Sequence, residues 1–176
     1  MSDETLPELE VIAETIVRGE DAIAVPGEML VEPERLAPVN KSLYAQIVTM
    51  KVGERLKLAL KGNRDARSLL LKDSNRLIQR FVLKNPRLTE DEILMVARNR
   101  NVDSDLLREI GEHKTWLRNY PIRLGLVTNP KTPLTIALHL VIQLQERDLR
   151  FLAKSKNVPQ AVVAQARRLL LQRESR

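Results

Sequence analysis

Apolar residues near the start of this chain follow the period of an α-helix. Leu9, Ile12, Ile16 and Val17 are spaced i, i+3, i+7 and i+8, which predicts a short amphipathic helix at residues 8–18 with Gly19 placed to end it. A helix this short is marginal alone in water and needs a surface to pack on. We therefore interpret these four residues as the apolar face of a docking helix.

From about residue 41 onward, the same period recurs in a series of short segments, and strand-like alternation is absent. Thr89 with Glu92 has the spacing of a capping box, and either Asp103 or Ser104 is placed to begin another helix. Thr132 is placed to cap a helix whose first residue is Pro133. The pattern predicts an all-α chain with short turns.

Several segments resemble one another. FVLKNPRLTEDEI, from Phe81, aligns with LGLVTNPKTPLTI, from Leu124, and VARNRNVDSDL, from Val96, aligns with LAKSKNVPQAV, from Leu152. The segment LALKGNRDA, from Leu58, fits the same frame more loosely. Units of this size cannot bury an apolar face alone and stack on their neighbours, so the alignment predicts a helical-repeat solenoid.

These segments resemble the variant leucine-rich repeats, a bacterial relative of the HEAT-like helical repeats. The resemblance covers about residues 54–172 and rests on three copies of a turn-and-helix motif. The first copy contains Asp73, Asn75, Arg80, Asn85, Pro86 and Thr89, the second contains Arg123, Asn129, Pro130, Thr132 and Pro133, and the third contains Asp148, Arg150 and Pro159. It implies a right-handed array of alternating short helices and no general enzymatic activity. The Cys-ligated cluster of some family members is not implied, since the chain has no cysteine.

Charge divides the chain into two parts. Residues 1–40 contain ten acidic and two basic residues, and Pro26, Gly27, Pro33 and Pro38 interrupt them. Residues 41–176 contain 27 basic and 13 acidic residues, a net charge of +14. We interpret residues 1–40 as a largely disordered, flexible acidic arm that carries the short helix, and residues 41–176 as a basic helical-repeat domain.

Composition narrows the functional classes. Without cysteine, thiolate catalysis and zinc–thiolate sites are excluded, and no glycine-rich phosphate loop is present. His139 could be a base or a ligand, but a structural hydrogen bond is the alternative for a lone histidine. We expect no enzymatic activity and no cofactor. The acidic start and the short uncharged stretches suggest neither a signal peptide nor a membrane span, so we expect a cytoplasmic protein.

Basic residues occupy corresponding positions in the aligned segments. The alignment predicts a basic ridge along the array, formed by Lys61, Lys84, Arg98 and Lys154, by Arg100 and Lys156, and by Arg76 and Arg80 on the helix that leads to Lys84. Thr128 is the uncharged exception. Such a ridge is either a solvated face or a surface that attracts nucleic acid, acidic protein or anionic lipid.

Two functional hypotheses follow. The first is a non-catalytic scaffold that binds a protein partner through the extended repeat surface. The alternative is weakly sequence-specific binding of nucleic-acid phosphates by the ridge, to which Trp116 and Tyr120 could add stacking if they are not core residues. In either case the acidic arm could cover the ridge within the chain. The partner and the oligomeric state stay open.

Overall fold

The computed structural model describes residues 5–33 and 41–174, and within these ranges every regular element is helical. The eleven α-helices are α1 (Leu6–Arg18), α2 (Lys41–Thr49), α3 (Val52–Lys61), α4 (Arg64–Leu70), α5 (Arg76–Leu83), α6 (Glu90–Arg98), α7 (Ser104–Glu112), α8 (Tyr120–Thr128), α9 (Leu134–Val141), α10 (Glu146–Leu152) and α11 (Gln160–Glu174). The predicted all-α class is confirmed for this part of the chain. None of these helices is long and apolar enough to cross a membrane.

The chain divides into two compact units, residues 1–88 and residues 89–176. In the first unit α3 is central, with α1 and α5 packed against it and α4 packed against both α3 and α5. Its core includes Leu56, Leu70, Ile78 and Val82, all fully buried. Burial of an aliphatic side chain of this kind contributes roughly 1.5–3 kcal/mol, so these contacts hold the short helices together.

In the second unit, both alternate and consecutive helices pack together. Helix α8 packs against α6 and against the next helix, α9, while α11 packs against α9 and against the preceding helix, α10. Leucine, isoleucine, valine and alanine fill the core, as the low aromatic content predicts; its fully buried members include Ile93, Leu107, Ile110, Ile122, Leu126, Leu140, Leu149 and Val162.

The acidic segment differs from the expected disordered arm wherever the structure describes it. Leu9 and Ile16 are completely buried in the core of the first unit, because α1 packs on α3, and Met29, in a short turn after α1, is completely buried in the same core. The end of α1 is as predicted: Gly19 has a left-handed φ of 77° and donates its N–H to the carbonyl of Ile16. Residues 34–40, including Pro38, lie outside the described residues, and the domain boundary near residue 40 stays a prediction.

Three predicted helix starts can be compared with the structure. The capping box of Thr89 and Glu92 is present at the start of α6, and Asp103 caps α7. The predicted cap at Thr132 is wrong. Pro133 has an extended backbone and is itself the N-cap of α9, so the helix begins one residue later, at Leu134.

Candidate functional site

The basic residues predicted to form a ridge lie at or near the carboxyl ends of helices, except Arg76, which is the first residue of α5. Lys61 ends α3, Lys84 follows α5, Arg98 ends α6 with Arg100 beyond it, and Lys154 and Lys156 follow α10; Arg76 and Arg80 lie on α5 itself. Four of the eight belong to each unit, so a single ridge through all of them stays a prediction. A cation near a helix carboxyl end also interacts favourably with the helix dipole.

In the second unit, the carboxyl ends of α6, α8 and α10 border one cleft of about 350 Å³. We call it the Phe151 cleft. It is lined by Arg98, Leu124, Gly125, Thr128, Asp148, Phe151, Leu152 and Ser155. Four of these residues are leucine, glycine or phenylalanine, so the lining is substantially apolar.

Helices α6 and α8 lie parallel, and contacts at both ends fix them. At the amino ends, the side-chain amide of Asn119 donates to Glu90 at 2.7 Å. At the carboxyl ends, the side-chain amide of Asn129 donates to the carbonyl oxygens of Ala97 at 2.9 Å and Asn99 at 3.0 Å. Between them, Gly125 allows close approach, because a Cβ there would lie 3.3 Å from the Cβ of Ala97. Helices α6 and α8 are therefore closely packed where they form one side of the cleft.

Tyr120 fixes α10 beside α8. Its hydroxyl donates to the buried carboxylate of Asp148 and accepts the backbone N–H of Gln145 at 3.0 Å. Burial raises the pKa of Tyr120, and its hydrogen bond to Asp148 raises that pKa further. Because the Tyr120 hydroxyl engages Asp148, the single acidic residue in the cleft lining already has a hydrogen-bond donor.

Four exposed basic residues lie on or next to the cleft. Arg98 lines it, Arg100 is two residues further along, and Lys154 and Lys156 flank the lining residue Ser155. Among the described residues none of the four forms an ion pair. The acidic residues of α6 lie in its first turn, at the opposite end of that helix. On α10, Glu146 and Asp148 lie in the first turn, and Asp148 also lines the cleft, where Tyr120 is bonded to it. Because Arg98 and Ser155 line the same cleft, the two segments that carry the predicted basic positions of this unit meet there. That these four residues act as one binding surface stays a prediction.

Phe151, which the sequence patterns above do not single out, is the most exposed large apolar side chain among the described residues, at 71%. Leu149 and Leu152 form the buried stripe of α10, and Phe151 lies off that stripe between Arg150 and Leu152. One of only two phenylalanines in the chain is thus exposed to solvent next to a cleft. The signal in the sequence was an aromatic residue out of phase with the apolar stripe of its helix.

The two aromatic residues that the sequence singled out are not free stacking platforms. Trp116 is half-buried and stacks on His113 with ring centroids 3.8 Å apart. Tyr120 is half-buried, and the guanidinium of Arg123 lies 5.4 Å from the centre of its ring. His139 is exposed. No group of acidic or histidine side chains in the described residues has the arrangement of a metal site.

The predicted docking helix uses three of its four apolar residues. Leu9 and Ile16 are completely buried and Ile12 is partly buried, whereas Val17 is 67% exposed. The reason is geometric: Ile16 is seven residues from Leu9 and returns to the same face, but Val17 is turned by a further 100°. Val17 is therefore not part of the buried face.

Ion pairs also attach the acidic segment to the first unit. Asp21 pairs with Lys57 at 2.7 Å, and Glu32 pairs with the buried Arg67 at 2.7 Å. The hydrogen bond from Lys57 lowers the pKa of Asp21, and it outweighs the effect of burial. Burial acts to raise the pKa of Glu32, but the hydrogen bonds and charges around it, chiefly the bond from Arg67, lower it overall.

Two of the predicted ridge residues lie near this acidic segment. Lys84 lines a cleft that also contains Glu10 and Glu14, and its ammonium lies 4.7 Å from the centre of the Phe81 ring. The charge of Lys61 contributes to the lowered pKa of Asp21. The arrangement in the first unit is compatible with an acidic arm that covers basic residues, and masking of a binding surface stays a prediction.

Comparisons with known proteins give no further guide to the site. The chain matches no protein-family model, no curated protein and no solved structure. The resemblance to variant leucine-rich repeats therefore stays a prediction that rests on the quoted motifs.

Proposed function

We propose that this chain is a non-catalytic binding protein that uses the helix ends bordering the Phe151 cleft to hold a protein partner. The observation that carries the proposal is the exposure of Phe151 beside a partly apolar cleft with a positive rim. Exposed aromatic and arginine side chains next to a cleft are the residue types that dominate binding energy in protein interfaces.

The proposal includes a repeat architecture of the variant leucine-rich-repeat or HEAT-like kind. Its support is a hydrogen-bond arrangement that occurs in both units. The side-chain amide of Asn85 donates to the carbonyls of Ala59 and Gly62 at the carboxyl end of α3, as Asn129 does at the end of α6. Each asparagine also accepts the backbone N–H two residues further on. Equivalent residues of the aligned segments thus have equivalent contacts.

Nucleic acid is the second candidate, and the observation that favours it is the group of exposed basic residues Arg98, Arg100, Lys154 and Lys156. We rank it second because much of the cleft lining is apolar. A phosphate gains little from apolar contacts. In addition, the half-buried Trp116 and Tyr120 offer few faces on which bases could stack.

Site-specific photo-crosslinking in living cells tests the proposal. A photoreactive phenylalanine analogue replaces Phe151 in one full-length variant and Leu171 in another. Leu171 is the matched control because it is also a large, exposed apolar residue of the second unit, but it lies on α11 away from the cleft. We expect a discrete protein adduct at position 151 and none at position 171. Equal crosslinking at both positions, or an adduct at 151 that nuclease removes, would overturn the proposal.

A further inference from the structure

We infer that the Phe151 cleft binds an acidic peptide segment that contains one large apolar side chain. This inference rests on the proposed function and names the chemistry of the partner. The apolar side chain would pack beside Phe151, and the flanking carboxylates would meet the basic residues at the rim.

The size and lining of the cleft argue for one apolar side chain. Its volume of about 350 Å³ is at the small end for ligand pockets. On the α8 side the cleft is lined by Leu124 and Gly125, and on the α10 side by Phe151 and Leu152. A leucine or aromatic side chain placed there would remove the exposed Phe151 ring from water, which is the main favourable contribution available.

The charges at the rim argue for acidic neighbours. Arg98 lines the cleft together with the apolar residues, and Lys154 and Lys156 are the sequence neighbours of the lining residue Ser155. All three are exposed and form no ion pair among the described residues. The carboxylate of Asp148 is buried and already bonded to Tyr120, so it does not neutralise the rim. Complementary charge on the partner would therefore be acidic.

A peptide accounts for both features of the cleft. A nucleic acid would use the rim cations but would leave the apolar lining without a matching group, apart from bases stacked on Phe151. A polypeptide can carry an apolar side chain next to carboxylates, and the cleft lining combines apolar residues with Arg98.

The test is a selection from a random-peptide display library on the full-length protein, with counter-selection on the Phe151→Ser variant. We expect the recovered peptides to share one leucine or aromatic residue with two or more aspartates or glutamates near it. A synthetic peptide from this set should bind the Phe151→Ser variant at least about thirtyfold more weakly, as expected for loss of a central interface residue. It should bind Arg98→Gln about fivefold more weakly, as expected for a partly exposed charge pair.

Two matched controls make the result specific. Leu171→Ser removes an exposed apolar residue away from the cleft, and Arg168→Gln removes an exposed charge on the same helix as Leu171. Neither should change the affinity of the peptide. Peptides that depend on Phe151 but carry no acidic residues would overturn this inference and leave the proposed function standing. Failure to recover any peptide whose binding depends on Phe151 would also overturn the inference. The crosslinking experiment tests the proposed function separately.

Discussion

The side-chain amide of Asn129 donates a hydrogen bond of 2.9 Å to the carbonyl oxygen of Ala97. This bond joins the turn after α8 to the last turn of α6, and Asn129 is buried where it forms. A backbone carbonyl at the end of a helix has no partner within its own helix, so a neighbouring side chain must supply one if the site is dry. Asn85 does the same for Ala59 in the first unit, at 2.9 Å.

We expect substitution of either asparagine by alanine to lower the free energy of unfolding by about 1–3 kcal/mol, because buried carbonyls lose their donor. Asn101→Ala is the control, since Asn101 is exposed, and should change stability by less than about 0.5 kcal/mol. Urea denaturation followed by circular dichroism measures all three. Equal effects from Asn129→Ala and Asn101→Ala would show that these bonds do not organise the helix ends.

Gly62, which follows α3, provides a second test of the packing. A Cβ at this position would collide with the carbonyl oxygen of Leu58 and lie 3.1 Å from the Cβ of Ala66. The colliding atom belongs to the backbone, so Gly62→Ala should cost about 2–3 kcal/mol of stability. A Cβ at Gly27 would meet no atom within 4 Å, so Gly27→Ala should stay within about 0.5 kcal/mol of the parent protein. A Gly62→Ala protein as stable as Gly27→Ala would contradict the structure of this turn.

The placement of α1 leads to a third prediction. Ile16 is completely buried and Val17 is mostly exposed, although they are adjacent in the sequence. We expect Ile16→Ala to cost about 2–4 kcal/mol through lost burial and a residual cavity. Val17→Ala should cost less than about 0.5 kcal/mol. Thermal or urea unfolding of the full chain measures both, and nearly equal effects would indicate that α1 is not packed on α3 in solution.

The acidic segment should make stability depend on pH. The pKa values of Asp21 and Glu32 are lower in the folded chain than their ordinary values of about 4. Both carboxylates therefore stabilise the fold at pH values above that ordinary range, and this contribution is lost as the pH falls through their lowered folded pKa values. The double variant Asp21→Asn, Glu32→Gln should be less stable than the parent near neutral pH.

The two proteins should converge in stability as the pH falls below about 4, because the parent carboxylates are then protonated. Urea midpoints measured across this range test the prediction. A difference between parent and variant that stays constant down to the lowest pH would exclude these two groups as the source of acid sensitivity.

Much of the secondary structure was readable from the sequence, because local chemistry determines it. Thr89 and Glu92 satisfy each other's backbone groups at the start of α6, and Gly19 adopts the left-handed conformation that ends α1. The N-cap at Thr132 was misassigned because the proline after it adopts an extended backbone instead of the first helical position. The assigned start of a helix commonly differs by one residue where a proline can be either the N-cap or the first helical residue.

The candidate site was only partly readable. Basic residues such as Arg98 and Lys154 were identified, since their positions correspond in the aligned segments. The cleft beside them could not be identified from the sequence. It depends on the close approach of α8 to α6 at Gly125 and on the hydrogen bond by which Tyr120 positions α10. The composition of residues 1–40 predicts a flexible acidic arm. Composition does not show that Asp21 pairs with Lys57 and Glu32 with Arg67, because these ion pairs depend on tertiary packing.

The most direct test of the central claim is a pair of binding titrations followed by fluorescence anisotropy at about 150 mM salt, where exposed charges are largely screened. One probe is the acidic peptide most enriched in the selection, and the other is a short duplex DNA. Each is titrated with full-length protein and with the Phe151→Ser variant. We expect the peptide to bind in a manner that depends on Phe151 and the DNA not to bind measurably. Submicromolar binding of the DNA, unaffected by Phe151→Ser, together with no binding of the peptide, would contradict the account.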